Sequence, residues 1–177
     1  MNFNKKNIIV LVIAVLLITF LGSFLRQPKI YSFSKEQFVP SDMETVFDFF
    51  SRPDNLEKIT PSSMGFNIIT PKPIEMKDGA IIDYTVKILG VPVRWRTMIT
   101  SYKKNEYFVD EQLKGPYSYW HHKHTFKEVE GGVLITDEIT YALPIQAFRK
   151  IVHPLIIKPQ LKQIFDFRFQ IIKDKFN

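Results

Sequence analysis

Residues 117–143, YSYWHHKHTFKEVEGGVLITDEITYAL, decide the fold of this chain, because two alternating stretches flank a pair of glycines. Alternate residues of a β-strand share one face, so the pattern predicts strands over Tyr117–Glu128 and Val133–Leu143. Between them, Glu130-Gly131-Gly132 predicts a tight turn. We therefore expect an antiparallel hairpin here.

The chain before this hairpin carries further strand signals, each bounded by turn residues. The predicted strands are Ile30–Val39, Phe66–Thr70, Ala80–Leu89, Val91–Tyr102 and Tyr107–Leu113. The last three of these and the hairpin make five successive strands joined by tight turns. This order predicts an antiparallel meander.

Two short helices are predicted between the first strand and the meander. Ser41 and Glu44 have the spacing of a capping box, with Ser41 at the cap, and a short apolar helix follows until Pro53. Asp54–Ile59 predicts a second short helix. The two are expected to form a V-shaped pair.

A broad apolar stripe predicts one long helix over Ile145–Lys175, which Pro154 and Pro159 should kink or delay near its start. A curved sheet cannot bury its concave face with its own side chains alone. We therefore expect the long helix to lie across that face, with a cavity between them.

The N-terminal stretch Ile8–Leu25 has eighteen residues without a charge or a proline. As a helix it would be about 27 Å long, close to the hydrocarbon thickness of a bilayer. It predicts one transmembrane anchor rather than a cleaved signal peptide, because no Ala-x-Ala pattern ends it. Residues 1–29 are thus expected to be anchor and linker, and residues 30–177 to be one domain.

Two short segments of the sequence resemble a known family: Pro53–Pro61, PDNLEKITP, and Gly115–Phe126, GPYSYWHHKHTF. With the order of elements, they resemble the SRPBCC superfamily (START-like, Bet v 1-like), closest to its bacterial polyketide cyclase/dehydrase-like ligand-binding branch. The resemblance covers Tyr31–Phe176. It implies an α+β helix-grip fold, a curved antiparallel sheet wrapped around a long C-terminal helix. It does not imply one function, because the superfamily includes lipid carriers, hormone receptors and cyclases.

Three of the four histidines fall on the predicted strand Tyr117–Glu128. Trp120 and Phe126 make their face the inward one, so His122 and His124 should look into the space under the long helix. The glycine turn suggests a register in which the cross-strand pairs are Phe126–Ile135, His124–Asp137, His122–Ile139 and Trp120–Tyr141.

Asp137 should then face inward, and Asp110 and Gln112 of the preceding strand should join the same cavity. Trp95 is expected in the core or in the pocket wall. The candidate ligand-binding residues are Trp95, Asp110, Gln112, Trp120, His122, His124, Asp137 and Tyr141.

Three interpretations of the polar cluster remain open at this point. His124 and Asp137 could satisfy each other structurally, or the cluster could orient a ligand in an apolar pocket. It could also serve catalysis or hold a metal, although no third histidine is expected on that face. We predict no catalytic residues, no metal and no cofactor, since no nucleophile, metalloprotease, P-loop or dinucleotide motif occurs.

The predicted function is binding of a small hydrophobic or lipid-like ligand in a membrane-anchored protein. The alternatives are a cyclase, dehydratase or hydrolase that uses a His/Asp pair, and a membrane-associated scaffold with a filled core.

The net charge of +6 is concentrated near the C-terminus and suggests a solvated helix face or contact with anionic lipid. No motif accompanies it to indicate nucleic-acid binding. The charges that flank the anchor, taken literally, put the domain outside the cell, whereas the resemblance to intracellular proteins implies the cytoplasmic side, which is the side we expect.

Overall fold

One seven-stranded antiparallel sheet forms the frame of this computed structural model, which describes residues 4–24, 28–144 and 148–176. Its strands are β1 (Ile30–Val39), β2 (Asn67–Ile68), β3 (Ile81–Ile88), β4 (Val91–Lys103), β5 (Tyr107–Lys114), β6 (Tyr119–Val129) and β7 (Gly132–Ala142). The order across the sheet is β1-β7-β6-β5-β4-β3-β2. The predicted five-strand meander is confirmed as β3 to β7, and β1 pairs with the far side of β7.

The predicted hairpin register is also confirmed. Gly131 has φ +81°, a left-handed conformation that glycine adopts without strain, and it closes the turn between β6 and β7. The observed pairs include Phe126–Ile135, His124–Asp137, His122–Ile139 and Trp120–Tyr141. Both histidines therefore lie on the inward face of the sheet.

The short helical segments differ in detail from the prediction. Helix α2 spans Met43–Phe50, and its N-cap is Asp42, whose side chain accepts a hydrogen bond from the Thr45 amide at 2.9 Å. The predicted cap at Ser41 was wrong by one residue. The predicted helix 54–59 is reduced to a 3-10 turn, Pro53–Asn55. A second 3-10 turn covers Ser62–Met64.

The C-terminal helical region is interrupted where the prolines predict. It consists of α3 (Arg149–Val152), a π-helical turn (His153–Ile157) and α4 (Lys158–Phe176). The predicted start at residue 145 lies outside the described residues. Helix α4 buries side chains at a spacing of four, three and four, namely Leu161, Phe165, Arg168 and Ile172.

The N-terminal helix α1 spans Lys5–Phe24. Among the described residues, no helix combines the length and the apolar character that crossing a bilayer requires. The predicted transmembrane anchor was therefore wrong, and so was the predicted membrane localisation. The predicted linker falls largely on residues 25–27, outside the described residues, and the domain boundary at residue 30 stays a prediction.

Candidate functional site

A cavity of about 170 Å³ lies between the sheet and helix α4. Side chains of β3 to β7 and of α4 line it, together with residues of the short turns that follow α2. An engineered protein cavity of about 150 Å³ is large enough to bind benzene. The space therefore accommodates a group of about one aromatic ring.

Aromatic side chains form one end of this cavity. Trp95 meets Trp120 edge to face, with ring centroids 5.2 Å apart, and Tyr117 lies 4.8 Å from Trp120. Tyr84 stacks against Trp95 at 5.8 Å. These rings give the cavity a rigid and mostly apolar wall.

A compact polar cluster of two histidines and two aspartates interrupts the apolar wall. His122 Nε2 lies 2.9 Å from Asp137 Oδ1, and its Nδ1 lies 3.4 Å from Asp110 Oδ2. His124 repeats the arrangement, with Nε2 3.2 Å from Asp110 Oδ2 and Nδ1 2.7 Å from Asp137 Oδ1. This last contact is close but lacks hydrogen-bond geometry. Each imidazole ring is thus held between the same two carboxylates.

Burial and mutual attraction set the ionisation of the cluster. Burial opposes ionisation of both carboxyl groups, but the histidines outweigh it, so the pKa of Asp110 is lowered and that of Asp137 lies well below its usual range. Burial and the neighbouring His124 lower the pKa of His122. Burial would also lower the pKa of His124, but the two carboxylates outweigh it and raise that pKa. The environment therefore shifts His122 towards its neutral form and His124 towards its protonated form.

Two buried donors of the cavity wall have no hydrogen-bond acceptor among the described residues. They are Trp95 Nε1 and Arg168 Nε, and both side chains line the cavity. The Arg168 guanidinium stacks over Phe165 at 4.8 Å, and its Nη1 lies 3.8 Å from Asp137 Oδ1. Buried donors without acceptors are rare in folded proteins, so these two mark where a bound acceptor would be stabilised.

The eight predicted site residues lie in three kinds of position: on the cavity wall, behind the wall, or off the wall and hydrogen-bonded to other groups. Those that line the cavity are Trp95, Asp110, Trp120, His122 and His124. Asp137 is buried behind the histidines and contacts both of them.

The other two candidates turn to neighbouring groups instead. The Tyr141 hydroxyl forms a 2.9 Å hydrogen bond with His153 Nε2, and burial raises the pKa of Tyr141 to about 12. Gln112 makes two hydrogen bonds to the Tyr117 backbone, at 2.7 and 3.2 Å, and so braces the connection between β5 and β6. A role in ligand binding remains a prediction for all eight residues.

Arg168 is a charged residue of the cavity wall that sequence reasoning missed. It lies seven residues after Leu161 and three after Phe165, so the helical period places it on the apolar stripe of α4. A charge within an apolar stripe signals a buried partner, and that signal was available before the structure.

Solved structures of several other proteins can be superposed on most of this chain. TTHA0849 from Thermus thermophilus has a TM-score of 0.63 at 12% identity, covering 83% of this chain and 100% of that one. The Zhui aromatase/cyclase from Streptomyces has a TM-score of 0.63 at 8% identity, covering 83% and 93%. Norcoclaurine synthase from Thalictrum, a point mutant in complex with a transition-state analogue, has a TM-score of 0.60 at 15% identity, covering 86% and 99%. No protein-family model and no curated protein sequence matches the chain.

The chain thus has a helix-grip fold, a curved antiparallel sheet closed by a long C-terminal helix. This is the fold that the resemblance to the SRPBCC superfamily implies, so the predicted fold is confirmed. At identities of 8 to 15% the similarity establishes the fold, and any ligand or reaction must be argued from this chain's own residues.

Proposed function

We propose that this protein binds a small, mostly apolar molecule of about one aromatic ring in the cavity beneath α4. The observation that carries the proposal is the meeting of an aromatic wall and a buried polar cluster at one cavity. Ligand sites are typically apolar with a few convergent polar groups that fix orientation.

The ligand's polar end is proposed to be a hydrogen-bond acceptor such as a carbonyl or a carboxylate. Trp95 Nε1 and Arg168 Nε are donors without acceptors among the described residues, and the Arg168 guanidinium adds a positive charge at the cavity wall. An acceptor at this end would satisfy donors that otherwise stay desolvated and unpaired.

The scaffold alternative requires a filled interior, whereas about 170 Å³ is open here. The space is smaller than the roughly 300–1,000 Å³ typical of drug-sized ligands. The proposal therefore excludes a complete lipid and favours a single-ring or short-chain molecule.

Acid–base catalysis on such a ligand is a second candidate, because one observation favours it. His122 lines the cavity, burial lowers its pKa, and Asp137 holds the ring from behind at 2.9 Å. A neutral, oriented imidazole is suited to accept a proton. If His122 is such a base, His122→Ala removes turnover while ligand affinity is retained.

The test uses the chain's own fluorescence, because its two tryptophans, Trp95 and Trp120, both line the cavity. We expect benzoate to change tryptophan fluorescence saturably in the full chain. Toluene, which lacks an acceptor, should bind at least about tenfold more weakly, since hydrogen bonds to charged groups contribute about 1.5–3 kcal/mol.

A matched pair of variants on neighbouring strands links the signal to the cavity. Val86→Phe fills the cavity wall and should abolish the benzoate response, whereas Val91→Phe changes a residue that is 62% exposed and should leave it intact. The proposal fails if the wild-type chain gives no saturable change with benzoate, or if both variants respond alike.

A further inference from the structure

The polar cluster has the arrangement of a metal site as well as that of a hydrogen-bonded network. One ligand atom from each of Asp110, His122 and His124 lies within 4.8 Å of the others. All three side chains line the cavity, and the two histidines are buried. Two imidazoles and one carboxylate are a donor set that zinc and other divalent transition metals bind well.

The distances around Asp110 fit a tetrahedral metal. Donor atoms about 2.05 Å from zinc at tetrahedral angles lie about 3.3 Å apart. Asp110 Oδ2 is 3.4 Å from His122 Nδ1 and 3.2 Å from His124 Nε2. Two edges of the coordination tetrahedron are thus already formed.

Asp137 is positioned behind the two histidines as an outer-shell partner. Its Oδ1 lies 2.9 Å from His122 Nε2 and 2.7 Å from His124 Nδ1, which are the ring nitrogens that do not face Asp110. Histidines that bind metals usually direct the second ring nitrogen to a carboxylate, which orients the ring. One aspartate therefore faces the proposed metal position, and the other forms a hydrogen bond with His122 and contacts His124 Nδ1 without hydrogen-bond geometry.

Hydrogen bonds alone leave this network incomplete. His124 Nδ1 has no partner with hydrogen-bond geometry, although Asp137 Oδ1 is only 2.7 Å away. Arg168 Nε on the facing helix is also without an acceptor. A metal on His124 Nε2 would leave the contact between Nδ1 and Asp137 unchanged, whereas an anion bound in the cavity beside Arg168 would give Arg168 Nε an acceptor.

We infer that Asp110, His122 and His124 bind one divalent transition metal, with zinc as the best fit, and that Asp137 orients the two histidines. Because the three ligands line the cavity and Asp137 does not, the fourth coordination position opens into the cavity. Three protein ligands with one open position are characteristic of zinc sites that bind water or a substrate. Arg168, which lines the same cavity, favours an oxygen anion at that position.

The inference does not depend on the ligand proposed above, so metal binding is measured without any organic probe. The full chain, without a polyhistidine tag, is treated with EDTA, desalted and titrated with zinc against a chromophoric chelator. Bound zinc is then quantified by mass spectrometry after gel filtration. We expect one zinc per chain, and less than about one-tenth of a zinc per chain would overturn the inference.

Histidine variants with a matched control identify the ligands. His122→Ala and His124→Ala should each weaken zinc binding by at least 100-fold. His121→Ala should keep both stoichiometry and affinity, because His121 lies on the opposite face of β6 and is partly exposed. Full zinc affinity in His122→Ala, or equal loss in His121→Ala, contradicts the assignment.

Two further measurements remain decisive if the alanine variants fail to fold, which circular dichroism would reveal. Cobalt bound to the wild-type chain should give the intense visible absorption of a four-coordinate site, and the weak bands of an octahedral site would refute the geometry. Asp137→Asn should keep one zinc per chain but bind it about 10–100-fold more weakly, as outer-shell changes do. An unchanged affinity in Asp137→Asn would refute its orienting role.

Discussion

Removing the His124 imidazole is the sharpest test of the polar cluster as a structural unit. The ring contacts both carboxylates, 3.2 Å from Asp110 Oδ2 and 2.7 Å from Asp137 Oδ1. It also stacks on Phe108, with ring centroids 4.2 Å apart. His124→Ala therefore leaves the buried Asp137 and the partly buried Asp110 with fewer partners, and it leaves a void beside Phe108.

The expected loss of unfolding free energy is about 3 kcal/mol. Breaking a buried ion pair by removing one partner costs about 3–5 kcal/mol. The lower end applies here because Asp137 keeps His122 at 2.9 Å and Arg168 at 3.8 Å. A loss of this size is a large fraction of the roughly 5–15 kcal/mol that stabilises a typical domain.

His121→Ala is the matched control on the same strand. His121 lies on the outer face, and its only ion-pair contact among the described residues is with Glu111 at 3.9 Å. Partly exposed pairs of this kind contribute about 0–1 kcal/mol, so the control should be nearly neutral.

Urea unfolding of the full chain in EDTA, followed by circular dichroism, measures both variants without a contribution from metal. Comparable m-values would show that the same surface is exposed on unfolding. Small and equal losses in His121→Ala and His124→Ala would refute the buried cluster. A loss confined to His121→Ala would reverse the assignment of the two strand faces.

Three further outcomes follow from the same contacts. In EDTA, the unfolding free energy should peak near pH 6.5, the ordinary pKa of histidine. Below that pH, His122 gains a proton in the unfolded state that it resists in the folded state, so stability falls. Above that pH, the stability that comes from the raised pKa of His124 is lost as the pH rises through the pKa of His124 in the folded state. Urea titrations from pH 4 to 9 measure this, and a monotonic profile across that range would contradict it. Tyr141→Phe, which removes the hydrogen bond to His153, should lower the unfolding free energy by about 1 kcal/mol and leave the fluorescence response to benzoate unchanged. An altered response to benzoate would indicate that Tyr141 contacts the ligand. Gln112→Ala should cost about 1–2 kcal/mol and speed amide exchange in the β5–β6 connection, and unchanged exchange there would show that this side chain does not brace it.

The register of the β6–β7 hairpin could be predicted because one short turn determines it. With Gly131 in the turn, pairing Phe126 with Ile135 brings His124 opposite Asp137, and a slip of one residue would have turned both histidines to solvent. The strand pattern was therefore sufficient to place both histidines on the inward face.

The contacts between individual histidines and aspartates within the cluster could not be predicted from the sequence. A one-to-one pair of His124 and Asp137 was predicted, whereas each histidine contacts both aspartates. The second contact depends on how closely β5 packs beside β6, where Asp110 pairs with His122. Strand periodicity gives the face of a residue but not the rotamer that decides between two nearby carboxylates.

The N-terminal helix shows a different limit of sequence reasoning. Hydropathy identified the uncharged stretch Ile8–Leu25, whereas the described helix α1 spans Lys5–Phe24 and therefore includes two lysines. Crossing a bilayer requires length and apolar character in the same helix, and a hydropathy pattern gives the apolar character without the helix bounds. Helix boundaries are the part of a structure that local sequence determines least well.

Stability alone does not explain a cluster of buried charges beside an open cavity. Replacing a buried ion network with apolar side chains of similar volume is often neutral or stabilising, so such a network is weak support for a purely structural role. Here three members of the network line the cavity, and Arg168 of helix α4 lies 3.8 Å from the fourth member, Asp137. The proposed organic ligand and the proposed metal would both bind beside this network, but they need different atoms. The hydrogen-bond acceptor of the organic ligand needs Trp95 and Arg168 as donors, whereas the metal needs the ring nitrogens of His122 and His124. The tryptophan fluorescence and zinc titrations therefore examine different atoms of the same site, and each can fail without the other.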